Sequence, residues 1–165
     1  MCRQSADTAE FAVDNLVEWW LNLGCHRYPE ATDILILVDG GGSNGYRARR
    51  WKQQLQLKLA DLCALTVTVA HYPPGASKWN PIEHRLFSQI SQTWAGTPLT
   101  SFEGLLDGIR QTTTTTGLTV QAVEDTYQTG IKVSDDDMAA LDIEQHTICP
   151  QWNYTISPRK IGSYF

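Results

Sequence analysis

Residues 34–45, ILILVDGGGSNG, decide the fold class. The unbroken apolar run Ile34 to Val38 reads as a strand covered on both faces, the pattern of a parallel sheet layered between helices. Asp39 ends that run, and Gly40, Gly41 and Gly42 follow, so the strand gives way to a tight loop with a carboxylate at its mouth. Beyond the loop, Trp51, Leu55, Leu59 and Leu62 recur at helical spacing as a buried stripe, while Arg47, Arg50, Gln54 and Lys58 fall on another side. Residues 65–72, LTVTVAHY, form a second β-branched strand, stopped by Pro73, Pro74 and Gly75. A strand, a glycine loop, a helix and a second strand define an α/β architecture with parallel strands flanked by helices.

Working outward, residues 7–23 read as an amphipathic helix. Asp7 and Glu10 fit a capping box, Ala12, Val13, Leu16, Val17 and Trp20 an inward stripe, and Gly24 a stop. Downstream, Asn80 reads as an N-cap and Pro81 as the first helical residue of a helix through about Trp94, with Leu86, Phe87, Ile90 and Trp94 inward and Gly96 and Pro98 closing it. Residues 101–110 read as another helix, 112–116 as a low-complexity threonine run, and 118–127 as a strand. Ser134 with Asp137 caps a short helix over DDMAALD, and the tail from Cys149 is aromatic and punctuated by proline. There is no internal repeat and no linker composition, so residues 1–165 are expected to form a single domain.

With 165 residues, 42% of them hydrophobic and 19% charged, the chain has the composition of a globular domain with a substantial core. Its net charge of −5 disfavours nucleic-acid binding by bulk electrostatics and confines any such contact to local basic clusters. Cys2, Cys25, Cys63 and Cys149 form no C-x-x-C pair and read as reduced thiols, which points to a cytoplasmic location. No apolar run reaches the roughly 20 residues that a membrane span requires.

Two carboxylates carry the chemical argument. Asp39 at a strand end and Glu83 in the first turn of a helix are separated by one helix and one strand. This is an arrangement by which phosphoryl-transfer enzymes converge acidic ligands on paired Mg²⁺ ions. Each also has a plainer reading: Asp39 as a turn former, and Glu83 as the N3 partner of an Asn80 capping box. Gly40, Gly42 and Gly45 further satisfy G-x-G-x-x-G, a dinucleotide-binding pattern. That pattern lacks its acidic residue after the next strand, where Ala70 and His71 stand. Arg47, Arg49, Arg50 and Lys52 open the helix after the loop, and Lys78 and Arg85 bracket Glu83; they are candidates for phosphate contact or for a solvated face. His71 and His84 flank the same region, though one helical step keeps Glu83 and His84 from aiming at one metal.

The segments DTAEFAV (7–13), DGGGSNG (39–45) and HYPPGASKWNPIEHRLFSQI (71–90) together resemble the DDE transposases of the Rhodopirellula-type insertion-sequence family, a branch of the RNase H-like superfamily. The resemblance extends to TTTTTGLTVQA (112–122), GIKVSDDDMAAL (130–141) and WNYTISPR (152–159). It implies an RNase H-like α/β domain, two Mg²⁺ or Mn²⁺ ions on three acidic residues, and hydrolysis and rejoining of phosphodiester bonds at transposon ends. On this reading Asp39 matches the second acidic residue and Glu83 the third, both as catalytic metal ligands. Arg47, Arg50, Lys78, Arg85 and Asn44 would then contact DNA. The family's first Asp lies on an upstream strand, and neither Asp7, Asp14 nor Asp33 is placed like it. The resemblance thus covers the C-terminal part of the catalytic domain, truncated at the N-terminus, without the DNA-binding region and the first strands of the sheet. Weak Mn²⁺ binding with little strand cleavage is expected, together with association into a homo-oligomer through the exposed strand edge or through the helix of Trp19 and Trp20. The alternatives are an inactive remnant or interaction domain, and a nucleotide-binding domain using the glycine loop.

Overall fold

The computed structural model describes residues 8–73, 75–76, 81–93, 96, 101–114 and 130–159. The chain divides into two compact units, residues 1–74 with 126–165, and residues 75–125.

The first unit is built on a mixed four-stranded sheet: β1 (Asp33–Val38), β2 (Thr66–His71), β3 (Ile143–Gln145) and β4 (Asn153–Ile156), in the spatial order β1-β2-β4-β3. β1 and β2 pair in parallel, from Asp33 beside Thr66 to Val38 beside His71. β4 runs antiparallel to β2, with Val69 opposite Tyr154, and β3 closes the far side as an antiparallel partner of β4. The expected parallel strands are therefore one parallel pair extended by an antiparallel hairpin.

The expectation that β1 is covered on both faces is not met. Burial alternates along it, with Ile36 and Val38 inside, while Leu35 and Leu37 are 62% and 51% exposed. β2 alternates in step, burying Val67, Val69 and His71, and β4 buries Tyr154 and Ile156. Among the described residues, the core of this unit is thus a single layer between one sheet face and the helices on it.

Those helices are α1 (Ala9–Trp19), which runs through a π-helical turn (Trp20–Gly24) into α2 (Cys25–Arg27), and α3 (Arg49–Gln54), which continues as a π-helical stretch (Leu55–Asp61). Thr8 rather than Asp7 caps α1, its hydroxyl accepting from the Phe11 amide at 3.2 Å. Glu10 is no capping-box partner because Arg50 and Lys58 hold it, at 3.0 and 3.3 Å. Val13 and Trp20 are buried with Ala12, Leu16 and Val17 packed beside them, as the stripe predicts. Gly24 does not end the helix. A Cβ there would lie 2.5 Å from Cε3 of Trp20, so the glycine lets the indole lie against the backbone.

In the second helix Trp51, Leu55 and Leu59 are buried as expected, but Leu62 is 71% exposed. The π-helical stretch widens the turn and rotates Leu62 off the stripe. Gln54, expected on the polar side, is buried, as is Gln56. The Gln56 amide donates to Ser157 O and Asp61 Oδ1, and its Oε1 accepts from the Asp142 amide, each at 2.8 Å. Just ahead of Asp142 in sequence is α6 (Asp135–Ala139), whose expected capping box is present: Ser134 Oγ accepts from the Asp137 amide and Asp137 Oδ2 from the Ser134 amide.

The second unit contains α4 (Pro81–Thr93) and α5 (Phe102–Arg110). Pro81 opens α4 as the sequence predicts, Ile90 is buried, and Ser101 caps α5 by accepting from the Gly104 amide at 3.0 Å. Thr112, at the start of the threonine run, is buried and donates to Gly108 O. The Asn80 cap, the inward aim of Leu86, Phe87 and Trp94, and the strand expected at 118–127 lie outside the described residues. No described helix is long and apolar enough to cross a membrane.

Candidate functional site

Asp39 follows the last residue of β1, at the end of the sheet where the parallel pair β1 and β2 terminates. Its side chain is exposed, and Oδ1 accepts from the Gly40 amide at 2.6 Å. The glycine loop behind it is closely folded. Gly42 takes a φ of +72°, which favours glycine. Gly45 N donates to Gly42 O, and Ala48 N to Gly45 O. A Cβ on Gly45 would sit 3.0 Å from Gly40 O and 3.2 Å from Gly41 C, so the two ends of the loop can touch only because position 45 has no side chain.

The buried His71 braces the loop against the sheet. Its Nδ1 lies 2.9 Å from Trp152 O and its Nε2 3.1 Å from Asn44 O, so neither ring nitrogen is left over for a metal. Around it stand three further aromatic side chains. Tyr46 meets both His71 and Trp152 edge-on, with centroids 6.3 Å apart in each pair, and Tyr154 lies 5.9 Å from His71. The sequence shows an aromatic tail but not that Trp152, just ahead of β4, would pair beside His71, with Tyr154 following it on the strand. The signal available was the alternation of Asn153, Tyr154, Thr155 and Ile156.

The basic residues divide sharply. Arg50 is held by Glu10 and by Gln53 Oε1, and Arg49 by Asp135 at 2.6 Å and by Val133 O. Arg47 is exposed, with its guanidinium 5.1 Å from the Tyr46 centroid. Lys52 Nζ lies 5.0 Å from the Tyr154 centroid, and burial pulls its pKa below the ordinary lysine value. Asn44 contributes its backbone carbonyl to His71.

In the other unit, Glu83 is the third residue of α4 and Arg85 is exposed; the Glu83 and His84 side chains and all of Lys78 lie outside the described residues. Of the other acids considered, Asp33 begins β1 and so stands roughly 20 Å of strand away from Asp39. Asp14 is bonded to Lys58 at 2.6 Å. Among the described residues, no group of three or more His, Cys, Asp or Glu side chains is placed to hold a metal ion.

A mixed α/β unit whose sheet is flanked by helices is consistent with a DDE domain. The Rhodopirellula transposase DDE domain matches this chain over residues 2–158, and the chain belongs to that family. Comparison with curated proteins and with solved structures returned no match.

Proposed function

We propose that this chain is the later part of an RNase H-like transposase core, acting in DNA transposition, with Asp39 and Glu83 as two of its metal-ligating acids and transposon ends as its DNA partner. The observation that carries the reading is the state of Asp39. Its carboxylate is exposed at the terminus of the parallel pair, Oδ1 is fixed by Gly40, and Oδ2 has no partner among the described residues. A hard oxygen donor of this kind suits Mg²⁺ or Mn²⁺. Divalent metal at such a site supplies Lewis acidity toward a phosphodiester and a lowered pKa for the attacking hydroxyl.

The chain's own residues do the rest. The braced loop fixes the direction of Asp39, and Glu83 at the start of α4 supplies the second carboxylate. Arg47, Arg85, Lys78 and Asn44 contact the DNA backbone. Arg50 joins them only on release from Glu10, so its contribution is the smallest of the set. Titration with Mn²⁺, read by electron paramagnetic resonance, tests the assignment. Asp39→Asn and Glu83→Gln should each weaken binding at least tenfold, and unchanged affinity in Asp39→Asn overturns it.

A second reading, an interaction domain that pairs with its own kind, is favoured by one observation: among the described residues β1 is the terminal strand of the sheet, and it carries Leu35 and Leu37 exposed. The nucleotide-binding alternative fares less well. α3 begins at Arg49, well past Gly45, so the last glycine of the pattern does not open a helix.

A further inference from the structure

We propose that Tyr46, Arg47 and Trp152 form a subsite for one unpaired nucleotide of the DNA, its base against the Tyr46–Trp152 pair and its phosphate on the Arg47 guanidinium; this deepens the transposase reading and rests on it.

The location follows from the backbone. Val38 and His71 are neighbours in register, Tyr72 N donates to Val38 O, and His71 N donates to Trp152 O. Trp152 therefore stands at the end of the sheet from which Asp39 emerges. The fold of the glycine loop, with Gly45 against Gly40, returns Tyr46 to the same place. Tyr46 and Trp152 are half-buried and meet at an interplanar angle of 80°, presenting an aromatic corner rather than a closed stack.

Charge then selects the ligand. Among the cations from residue 47 to 58, Arg49, Arg50 and Lys58 are each paired with a carboxylate. Arg47 and Lys52 have no acidic partner among the described residues, and both lie over rings of this cluster. In a chain of net charge −5, two cations on aromatic faces with no acidic partner among the described residues form a local anion site with a stacking surface. A base inside a duplex already has neighbours on both faces, so the ligand that uses ring and guanidinium together is an unpaired nucleotide.

Fluorescence anisotropy with a labelled duplex, blunt or carrying a short single-stranded overhang of either polarity, tests this in EDTA, where no metal contributes. The chain should prefer one overhang over the blunt duplex by about tenfold. Trp152→Ala and Tyr46→Ala should each abolish that preference while leaving blunt-duplex affinity within about twofold, and Trp152→Phe should keep most of it. Arg47→Ala, a change at an exposed side chain, should weaken overhang binding and reduce the slope of log affinity against log salt by about one. Asp39→Asn should keep the preference, so failure of the metal assignment and failure of this subsite are told apart. Absence of a preference in the unaltered chain, or its survival in both Trp152→Ala and Arg47→Ala, overturns the proposal.

Discussion

The indole N–H of Trp51 donates to the phenol oxygen of Tyr154 across 3.0 Å, between two side chains that are both 1% exposed. This bond joins α3 to the last strand of the sheet in the middle of the core. Tyr154→Phe leaves the indole N–H buried without a partner and should cost about 1–3 kcal/mol in urea unfolding. Burial pushes the Tyr154 phenol well above the ordinary tyrosine value, against the smaller opposing effect of the Trp51 bond. A raised folded-state pKa stabilises below the unfolded value near 10 and is lost as pH climbs beyond it. Absorbance titration of the native chain should therefore show one tyrosine that ionises only on alkaline unfolding, and Tyr154→Phe should remove that step.

The glycine loop provides a paired test. Gly45→Ala forces a Cβ against Gly40 O and Gly41 C, both backbone atoms, whereas a Cβ on Gly41 meets nothing within 4 Å. Gly45→Ala should destabilise by about 1–3 kcal/mol and weaken Mn²⁺ binding by shifting Asp39. Gly41→Ala should leave thermal stability and Mn²⁺ binding close to those of the unaltered chain.

Asp61 receives the C-terminal segment: Oδ2 accepts from Arg159 Nε at 3.0 Å, and Oδ1 from the Arg159 amide at 2.9 Å and Gln56 Nε2 at 2.8 Å. Burial alone would raise the Asp61 pKa, but the Arg159 and Gln56 bonds outweigh it and hold the carboxyl below its ordinary 3.8. A depressed folded-state pKa contributes stability above the unfolded value, lost as pH falls through the folded one. Asp61→Asn should cost about 2 kcal/mol at neutral pH, with Arg159 one-third exposed and partly screened. Its deficit relative to the unaltered chain should shrink as pH is lowered below about 3.8. Acid unfolding followed by circular dichroism measures both.

Self-association, if β1 drives it, depends on Leu35 and Leu37. Leu35→Lys places a charge on an exposed position without touching the core, and it should shift the light-scattering mass at high concentration toward monomer. An unchanged mass would assign any assembly to another surface.

The parts of the fold legible in the sequence were those set by local pattern: β1 and β2 from their β-branched content, α1 and α3 from their stripes, α6 from Ser134 and Asp137. What escaped depended on partners distant in sequence. The run Ile34 to Val38 was apolar at every position, so pattern alone could not distinguish two covered faces from one. The hairpin of β3 and β4 was short and interrupted by Pro150, and its pairing with β2 is a long-range event. Leu62 left the stripe because the π-helical stretch altered the turn, Gln54 is buried because it stands three residues past Trp51 on the same face of α3, and Gly24 answered to the Trp20 ring rather than to a helix end. At the site, Asp39 stood out because a carboxylate after an apolar strand needs a reason. Tyr46 and Trp152 did not, since nothing in their local sequence announced that they would meet.

The spatial order of the strands also sets a timetable for synthesis. β2, finished by residue 71, has β1 on one side, but its other neighbour is β4, which begins only at Asn153. As the chain leaves the ribosome, the β2 side of the parallel pair stays unpaired until residues 153–156 have emerged. Closing that gap is a late event of high sequence separation, slow to nucleate and open meanwhile to capture by another nascent strand.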